Sequence, residues 1–267
     1  HVFQRTANFS LPARNAPMEP ERERRHKADY PARRRAAYDT PFAIGGYPRP
    51  TKSALEVSEE ERNAAYESKW QEGGSISYLY TYTDLLTNKA ANDTASEFAR
   101  NKIRGIVKDR ATAELLAPKD HPIGTKRLCL DTGYYETYNR DNVELVDSGE
   151  TPIQEITPDG LRTSARSFEF DAIIYATGFD SFTGAFDKID IEGAHGLKLR
   201  DKWADGPTTF MGLMISGMPN LVMLAGPQTA ATNFPRGAEL AVDWVTPFLQ
   251  YLWQHGYTRF NAQEAPE

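Results

Sequence analysis

The chain has 267 residues, enough for one large domain or two ordinary ones. Hydrophobic residues make up 40% and charged residues 25%, a mixture that supports a packed core and excludes global disorder. The net charge of −6 argues against a general nucleic-acid binder, and no apolar run approaches the roughly 20 residues needed to span a bilayer.

Cys129 is the only cysteine, so no intrachain disulfide can form, which fits a reducing, cytoplasmic setting. No Cys/His group has zinc-ligand spacing, and no metal site is expected. His1-Val2-Phe3 reads as the tail of a strand, without an initiator methionine or a signal-peptide pattern. With an end just after a helix-like run, this reads as an internal piece of a longer polypeptide.

Residues 10–20 hold three prolines and read as an extended connection. Residues 19–37 are crowded with Arg and Glu and read as helical, interrupted near Pro31. Arg33-Arg34-Arg35 is taken as a solvated helix face rather than a phosphate site. Residues 38–52, rich in Pro and Gly, should be loop. Ser58 then starts a helix, with Glu61 placed to complete a capping box. Tyr66 and Trp70, four positions apart, share one face of it, and Gly73-Gly74 ends it. Residues 76–86, dense in Tyr78, Tyr80 and Tyr82, are read as helix because their neighbours are helical. Asn92 or Asp93 caps the next helix, which runs to about Val107. A short helix over 111–116 is stopped by Pro118. Residues 20–117 thus form a helical block between strands.

Strands return beyond residue 126. Leu128 and Leu130 alternate about Cys129, a helical turn covers 134–139, and strands follow at 143–146 and 153–156. Pro158-Asp159-Gly160 is a turn signal that folds 161–163 back as a hairpin. Residues 171–180 read DAIIYATGFD. Ala172 to Ala176 form an apolar run too short for a default helix, which fits a strand buried on both faces of a parallel sheet. Thr177 offers a hydroxyl, and Gly178 lets the backbone turn and approach a ligand closely. Open α/β sheets bind ligands beyond the carboxyl ends of their strands. Ala176-Thr177-Gly178 therefore sits where a dinucleotide could lie, although an ordinary glycine turn has the same sequence. Apolar stretches follow at 189–191, 197–199 and 221–224, the last read as a buried strand ending at Gly226-Pro227. Residues 238–253 form an amphipathic helix with Leu240, Ala241, Trp244, Val245, Phe248, Leu249 and Leu252 toward the core.

Three places carry chemistry. At Arg5-Thr6 a cation and a hydroxyl follow a strand end, where the forked donors of Arg can grip the 2′-phosphate that distinguishes NADP from NAD. A surface arginine there looks the same. Lys126-Arg127 sits at a strand edge, where adjacent residues point to opposite faces and can serve two ligand groups. Residues 226–234, GPQTAATNF, make a strand–loop–helix passage able to wrap a cofactor ring with backbone groups, or simply connect two elements.

Taken in order, the motifs of this chain resemble one family. They are Phe3-Gln4-Arg5-Thr6, Lys126-Arg127, Asp131-Thr132-Gly133-Tyr134-Tyr135-Glu136, Tyr138-Asn139-Arg140-Asp141-Asn142-Val143, and Ala176-Thr177-Gly178-Phe179-Asp180. Asp201-Lys202-Trp203, Gly206-Pro207, Pro219-Asn220-Leu221, Gly226-Pro227 and Trp244-Val245 follow. The set is similar to the C-terminal part of the Baeyer–Villiger monooxygenases and covers nearly the whole chain.

The resemblance implies an α/β fold, part of a flavoprotein with two Rossmann-like dinucleotide-binding domains and a helical insertion. It implies NADP binding by residues 1–18 and 119–170, an insertion over 19–118, and FAD binding by 171–267. It implies FAD and NADPH as cofactors, O₂ and a small-molecule ketone as substrates, and an ester or lactone as product. Arg127 matches the family's active-site arginine, and a fixed cation suits an anion developing in a dry site. Arg5, Thr6 and Lys126 match the 2′-phosphate site, and Ala176, Thr177 and Gly178 the crossing between the domains. Gly226 and Pro227 are expected among the cofactor-binding residues, and Trp244 matches the NADP side of the pocket. Thr232, Asn233 and Phe234 fall where the family lines the ketone pocket.

No GxGxxG loop occurs in the chain, so the pyrophosphate cradle is absent. The chain alone is not expected to hold FAD. Its expected partner is the missing N-terminal half, on the same polypeptide or on a complementing chain. The alternatives are a flavin monooxygenase acting on nitrogen or sulfur, and a non-catalytic folded fragment or interaction module.

Overall fold

A computed structural model describes residues 1–40, 46–229 and 233–264 of this α/β chain, and among these described residues lie seven short strands and nine α-helices. In chain order they are β1 (Val2–Gln4), β2 (Ser10–Pro12), α1 (Pro20–Ala28), α2 (Tyr30–Tyr38), α3 (Glu59–Glu72), α4 (Ser75–Leu79), α5 (Lys89–Ile106) and α6 (Arg110–Leu116). Then come β3 (Cys129–Asp131), α7 (Tyr134–Thr137), β4 (Leu145–Asp147), β5 (Ile153–Thr157), β6 (Gly160–Thr163), β7 (Ser167–Glu169), α8 (Leu199–Lys202) and α9 (Phe234–Gln254). They group into two units, His1–Glu23 with Tyr47–Ile174, and Arg24–Gly46 with Tyr175–Glu267. Residues 24–46 thus group with the second unit and not with the helices that follow them.

In the first unit strands from both sides of the helices meet. β1 pairs in parallel with β4, Phe3 opposite Val146, and β2 pairs in parallel with β3, Ser10 opposite Cys129. Parallel pairing needs a long crossover, and α3 to α6 provide it. β5, β6 and β7 form an antiparallel sheet around the turn before Gly160.

The helices form as their sequence dictates, with two differences. Ser58 accepts from the amide of Glu61 at 3.1 Å, but the Glu61 carboxylate takes Lys52 Nζ at 2.7 Å instead of closing the capping box. The cap of α5 is Asn88, not Asn92 or Asp93. Asn92 points inward, its amide donating to Leu85 O and Ile123 O at 2.8 Å each. Its Oδ1 accepts from Ile123 N at 3.1 Å and Ser96 Oγ at 2.9 Å.

The expected helix over 76–86 stops at Leu79. Beyond it Thr83 N bonds to Lys52 O at 3.0 Å, and Asp84 accepts from Ser53 Oγ at 2.6 Å and Ala54 N at 3.0 Å. Those tertiary bonds take the backbone away from the helical path. The core here is aromatic, with the Tyr66 ring 5.6 Å from both Tyr78 and Tyr82 and 5.5 Å from Phe98.

In the second unit α9 packs through Ala241, Trp244, Val245 and Phe248 onto Leu213, Met214 and Ala262. Leu240 and Leu249, expected toward the core, are each 47% exposed. Arg236 lies 3.4 Å above the Tyr38 ring, and Glu239 pairs with both Arg34 and Arg236, which fixes α2 on α9. A second cluster holds Leu199, Trp203, Ile215, Met218 and Met223.

Two expected strands are absent. Residues 172–176 and 221–224 are irregular backbone, and both Ile174 and Leu224 are exposed. A strand needs hydrogen-bonded neighbours, and the three sheets of the described residues offer neither segment one.

Candidate functional site

β1 ends at Gln4, and the chain turns through Arg5 and Thr6 before entering β2. On the other side of the insertion, Lys126 and Arg127 lead into β3. Because β2 and β3 are neighbours, these two lead-in segments run together. Asn8 fastens them, its side-chain amide donating to Arg127 O at 3.0 Å and reaching Cys129 Sγ at 3.6 Å. Its Oδ1 accepts from Phe9 N at 2.9 Å, and Cys129 N donates to Phe9 O at 3.2 Å. Arg5, Thr6, Lys126 and Arg127 are all exposed. Arg5 and Thr6 thus lie on one of two adjoining segments, and Lys126 and Arg127 on the other.

Asp120 and His121 adjoin this seam, and no local pattern marks them. Asp120 Oδ2 lies 3.8 Å from Lys126 Nζ, and Oδ1 lies 2.7 Å from His121 Nδ1. The His121 bond, aided by Lys126, holds the Asp120 carboxyl below its usual range. The His121 ring meets Phe9 edge-on at 5.6 Å, and its Nε2 is buried without a partner. Asp120 is thus a carboxylate competing for Lys126. Its only sequence signal is an acid six positions before a basic pair. Asn8 gives no signal at all.

Asp131 and Tyr135 brace β2 against β3. Ser10 Oγ donates to Asp131 Oδ2 at 2.5 Å, and Ser10 N donates to the Tyr135 hydroxyl at 3.0 Å. Gly133 adopts φ +85, and Tyr134 N then bonds Asp131 Oδ1 at 3.0 Å. Burial raises the Tyr135 hydroxyl, which keeps it a neutral acceptor. Asp131, Gly133 and Tyr135 also border a cavity of about 580 Å³ lined by Arg14, Trp70 and Lys102.

The remaining expected site residues lie in the second unit. Ala176, Thr177 and Gly178 are exposed. Gly178 has φ +88, and a Cβ there meets nothing within 4 Å, so glycine serves the backbone conformation and not packing. Gly226 and Pro227 are buried. A Cβ on Gly226 falls 2.6 Å from Gly212 O, so here glycine permits two backbone segments to touch. Thr209 Oγ1 donates to Pro227 O at 3.2 Å. Asn233 and Phe234 are exposed at the start of α9, with Phe234 at 61%, and Thr232 lies outside the described residues. Trp244 stacks on Phe248 at 5.1 Å and 26°. Both rings border a largely apolar cavity of about 980 Å³ lined also by Phe210, Met214 and Phe260.

The fold thus places the segment of Arg5 and Thr6 beside that of Lys126 and Arg127 in the first unit. Ala176 to Gly178, Gly226-Pro227, Asn233-Phe234 and Trp244 occupy separate stretches of the second.

No family model matches the chain. Among known proteins it is 42% identical to the 2-oxo-Δ3-4,5,5-trimethylcyclopentenylacetyl-CoA monooxygenase of Pseudomonas putida, over 100% of this chain and 49% of that protein. It is 37% identical to a Baeyer–Villiger monooxygenase of Pseudooceanicola batsensis, over 96% of this chain and 47% of the relative. The phenazine N-monooxygenase PhzNO1 of Lysobacter antibioticus is 36% identical, over 91% of this chain and 45% of its own length. Among solved structures, a complex of OTEMO with FAD and NADP superposes with a TM-score of 0.94 at 42% identity, covering 98% of this chain and 49% of that one. The chain spans about half the length of the curated relatives it matches.

Proposed function

We infer that this chain, related over its whole length to the Baeyer–Villiger monooxygenases, forms part of an enzyme of that kind. The reaction proposed takes a hydride from NADPH and a proton from solvent, puts one oxygen atom of O₂ beside a ketone carbonyl to give an ester or lactone, and releases the other as water. The match of 98% of this chain to about half of a solved complex holding FAD and NADP supports this reading.

The residues present fit the NADP half of the pair. Arg5 and Lys126 are exposed cations on adjoining segments joined through Asn8, which suits a doubly charged 2′-phosphate, and Thr6 adds a hydroxyl donor. Arg127 brings a permanent planar cation to the same seam and supports negative charge that develops during oxygen transfer. Gly178, open and left-handed, allows close backbone approach of a ligand at residues 176–178. Bound FAD supplies the redox chemistry that activates O₂.

In this reading residues 1–18 and 119–170 serve the NADP-binding domain, 19–118 are the insertion, and 171–267 serve the FAD-binding domain. Gly226 and Pro227 contribute to cofactor binding, Trp244 serves the NADP side, and Thr232, Asn233 and Phe234 the ketone pocket. The rest of the enzyme lies on the same polypeptide or on a complementing chain. A cytoplasmic setting agrees with the lone Cys129, and among the described residues no helix is long and apolar enough to cross a membrane.

A second reading, oxidation at nitrogen, draws on the phenazine N-monooxygenase relative. Product analysis separates the two. The chain, supplied with the remaining portion of the Pseudomonas putida relative, FAD and NADPH, is given cyclopentanone and phenazine in parallel. Lactone carrying heavy-oxygen label from O₂ supports the first reading. N-oxide without lactone overturns it.

A further inference from the structure

Packing alone does not account for a histidine at position 121. Its side chain is 8% exposed, its ring meets Phe9 edge-on at 5.6 Å, and its Nε2 is buried without a partner. An apolar ring would fill that space without orphaning a nitrogen. The other ring nitrogen supplies the reason. Nδ1 lies 2.7 Å from Asp120 Oδ1. The Asp120 carboxyl is held below its usual range, with the His121 bond as the first cause. Asp120 is therefore an acceptor, and the hydrogen belongs on Nδ1.

The turn between Asp120 and Lys126 brings the two together. Ile123 N donates to Asn92 Oδ1 and to Ser96 Oγ at 3.1 Å each, which pins the middle of the turn to α5. The amide and hydroxyl of Thr125 both bond back to Pro122 O. Asp120 Oδ2 then stops 3.8 Å from Lys126 Nζ, within Coulomb range but beyond a hydrogen bond. Both side chains are exposed and have room to close on each other. The His121 bond opposes that closure by holding the carboxylate from its far oxygen.

We propose that His121 is a positioning residue for coenzyme choice, which by holding Asp120 keeps the Lys126 ammonium available to the 2′-phosphate of NADPH. The proposal rests on the reading of Lys126 as a phosphate ligand given above and names the device that keeps that ligand available. Without the Nδ1 donor, Asp120 closes on Lys126 and the phosphate has to displace it. NADH carries no 2′-phosphate and is indifferent.

A mutant cycle in the assembled enzyme tests it, read by titration calorimetry with NADP⁺ and NAD⁺ as probes. His121→Leu should weaken NADP⁺ about tenfold and NAD⁺ less than about twofold. His121→Asn, whose amide can donate in place of Nδ1, should recover much of the loss. In an Asp120→Asn background His121→Leu should have no further effect on NADP⁺, because no carboxylate remains to capture Lys126. Lys126→Ala is the control. If it weakens both coenzymes equally, the phosphate reading falls and this proposal with it. If it acts on NADP⁺ selectively while His121→Leu does not, or if His121→Leu weakens NADP⁺ equally with and without the Asp120 carboxylate, the proposal alone is overturned. The ring-nitrogen chemical shifts of His121 in the parent enzyme give a reading that needs no folded variant. A hydrogen on Nδ1 supports the proposal, and a hydrogen on Nε2 alone overturns it.

Discussion

The side-chain amide of Asn8 donates to the main-chain carbonyl of Arg127 at 3.0 Å, across 119 positions of sequence. Arg127 is thereby placed through its backbone, leaving the guanidinium exposed. Asn8→Ala should lower unfolding free energy by about 0.5–1.5 kcal/mol, the net value of a neutral hydrogen bond. Asn8→Asp should cost at least as much, because a carboxylate cannot donate to the carbonyl. Urea unfolding of both variants checks this, and stability equal to the parent in both would remove Asn8 as the fastener.

Coenzyme choice follows from the same seam. Arg5→Ala should weaken NADPH about tenfold or more in the assembled enzyme, since a hydrogen bond to a charged group contributes about 1.5–3 kcal/mol. NADH, lacking the 2′-phosphate, should change little. Asp120→Asn should move NADPH affinity the other way, because Asp120 lies 3.8 Å from Lys126 Nζ and competes for it. Titration calorimetry with both coenzymes decides. An equal loss for NADPH and NADH in Arg5→Ala would place Arg5 elsewhere in the mechanism of binding.

Asn92 is the most heavily engaged buried polar side chain of the first unit. Its removal in Asn92→Ala orphans Leu85 O and Ile123 O in the core and takes the acceptor from the Ser96 hydroxyl, while Ile123 N keeps its bond to Ser96 Oγ. Each buried unsatisfied group costs about 1–3 kcal/mol, so a loss of roughly 3 kcal/mol or more is expected in denaturant unfolding. A loss under about 1 kcal/mol would mean that water satisfies those groups and the site is open.

Local signals explain what the sequence disclosed. Ser58, Gly73 and the Pro158-Asp159-Gly160 turn act within a few residues, and the elements they bound form as read. Asn92 misled because an inward-pointing amide and a helix cap have the same composition. The helix expected through residue 86 failed because Thr83 and Asp84 bond to residues 52–54, a tertiary fact with no local signature. At the candidate site Arg5 and Lys126-Arg127 were visible as cations near strand ends. Asn8, Asp120 and His121 were not, since their roles exist only once β2 lies beside β3. Residues 172–176 show the converse. Their pattern specifies a buried strand, and pattern alone cannot form one without neighbours.

Stability at alkaline pH should bear the mark of Tyr66. Burial pushes its hydroxyl up to about 12 from an ordinary value of 10.0, against an opposing bond from Thr94. A raised folded value means that the neutral phenol is favoured in the native state. That stability is complete below pH 10 and is lost as pH rises from about 10 through 12. Tyr78, raised in the same direction by burial, adds to the slope. Tyr66→Phe should be less stable at neutral pH by roughly 0.5–1.5 kcal/mol for the lost Thr94 bond, and should decline less steeply between pH 10 and 12. Urea unfolding at stepped pH measures both effects. Identical slopes in variant and parent would show that Tyr66 ionises equally in both states.

Arg127 carries the sharpest test of the proposed reaction. Its side chain is exposed, and the bond that holds it runs through its carbonyl oxygen, so Arg127→Ala should leave the thermal midpoint of the chain unchanged. In the assembled enzyme the same variant should lose ester or lactone formation by about 2.7–4 kcal/mol, the cost of removing one donor to a developing anion. The loss should fall mainly on kcat, because a charge that matters as oxygen is transferred contributes little to ground-state binding of a neutral ketone. NADPH oxidation should slow too if the same cation helps seat the coenzyme. Arg127→Lys should recover little, since an ammonium on a flexible stem does not reproduce a planar fork of donors. Product yield and NADPH consumption, measured together, separate these effects. Normal lactone yield in Arg127→Ala would take Arg127 out of the mechanism, and with it the main residue-level reason for preferring oxygen insertion beside a ketone over oxidation at nitrogen.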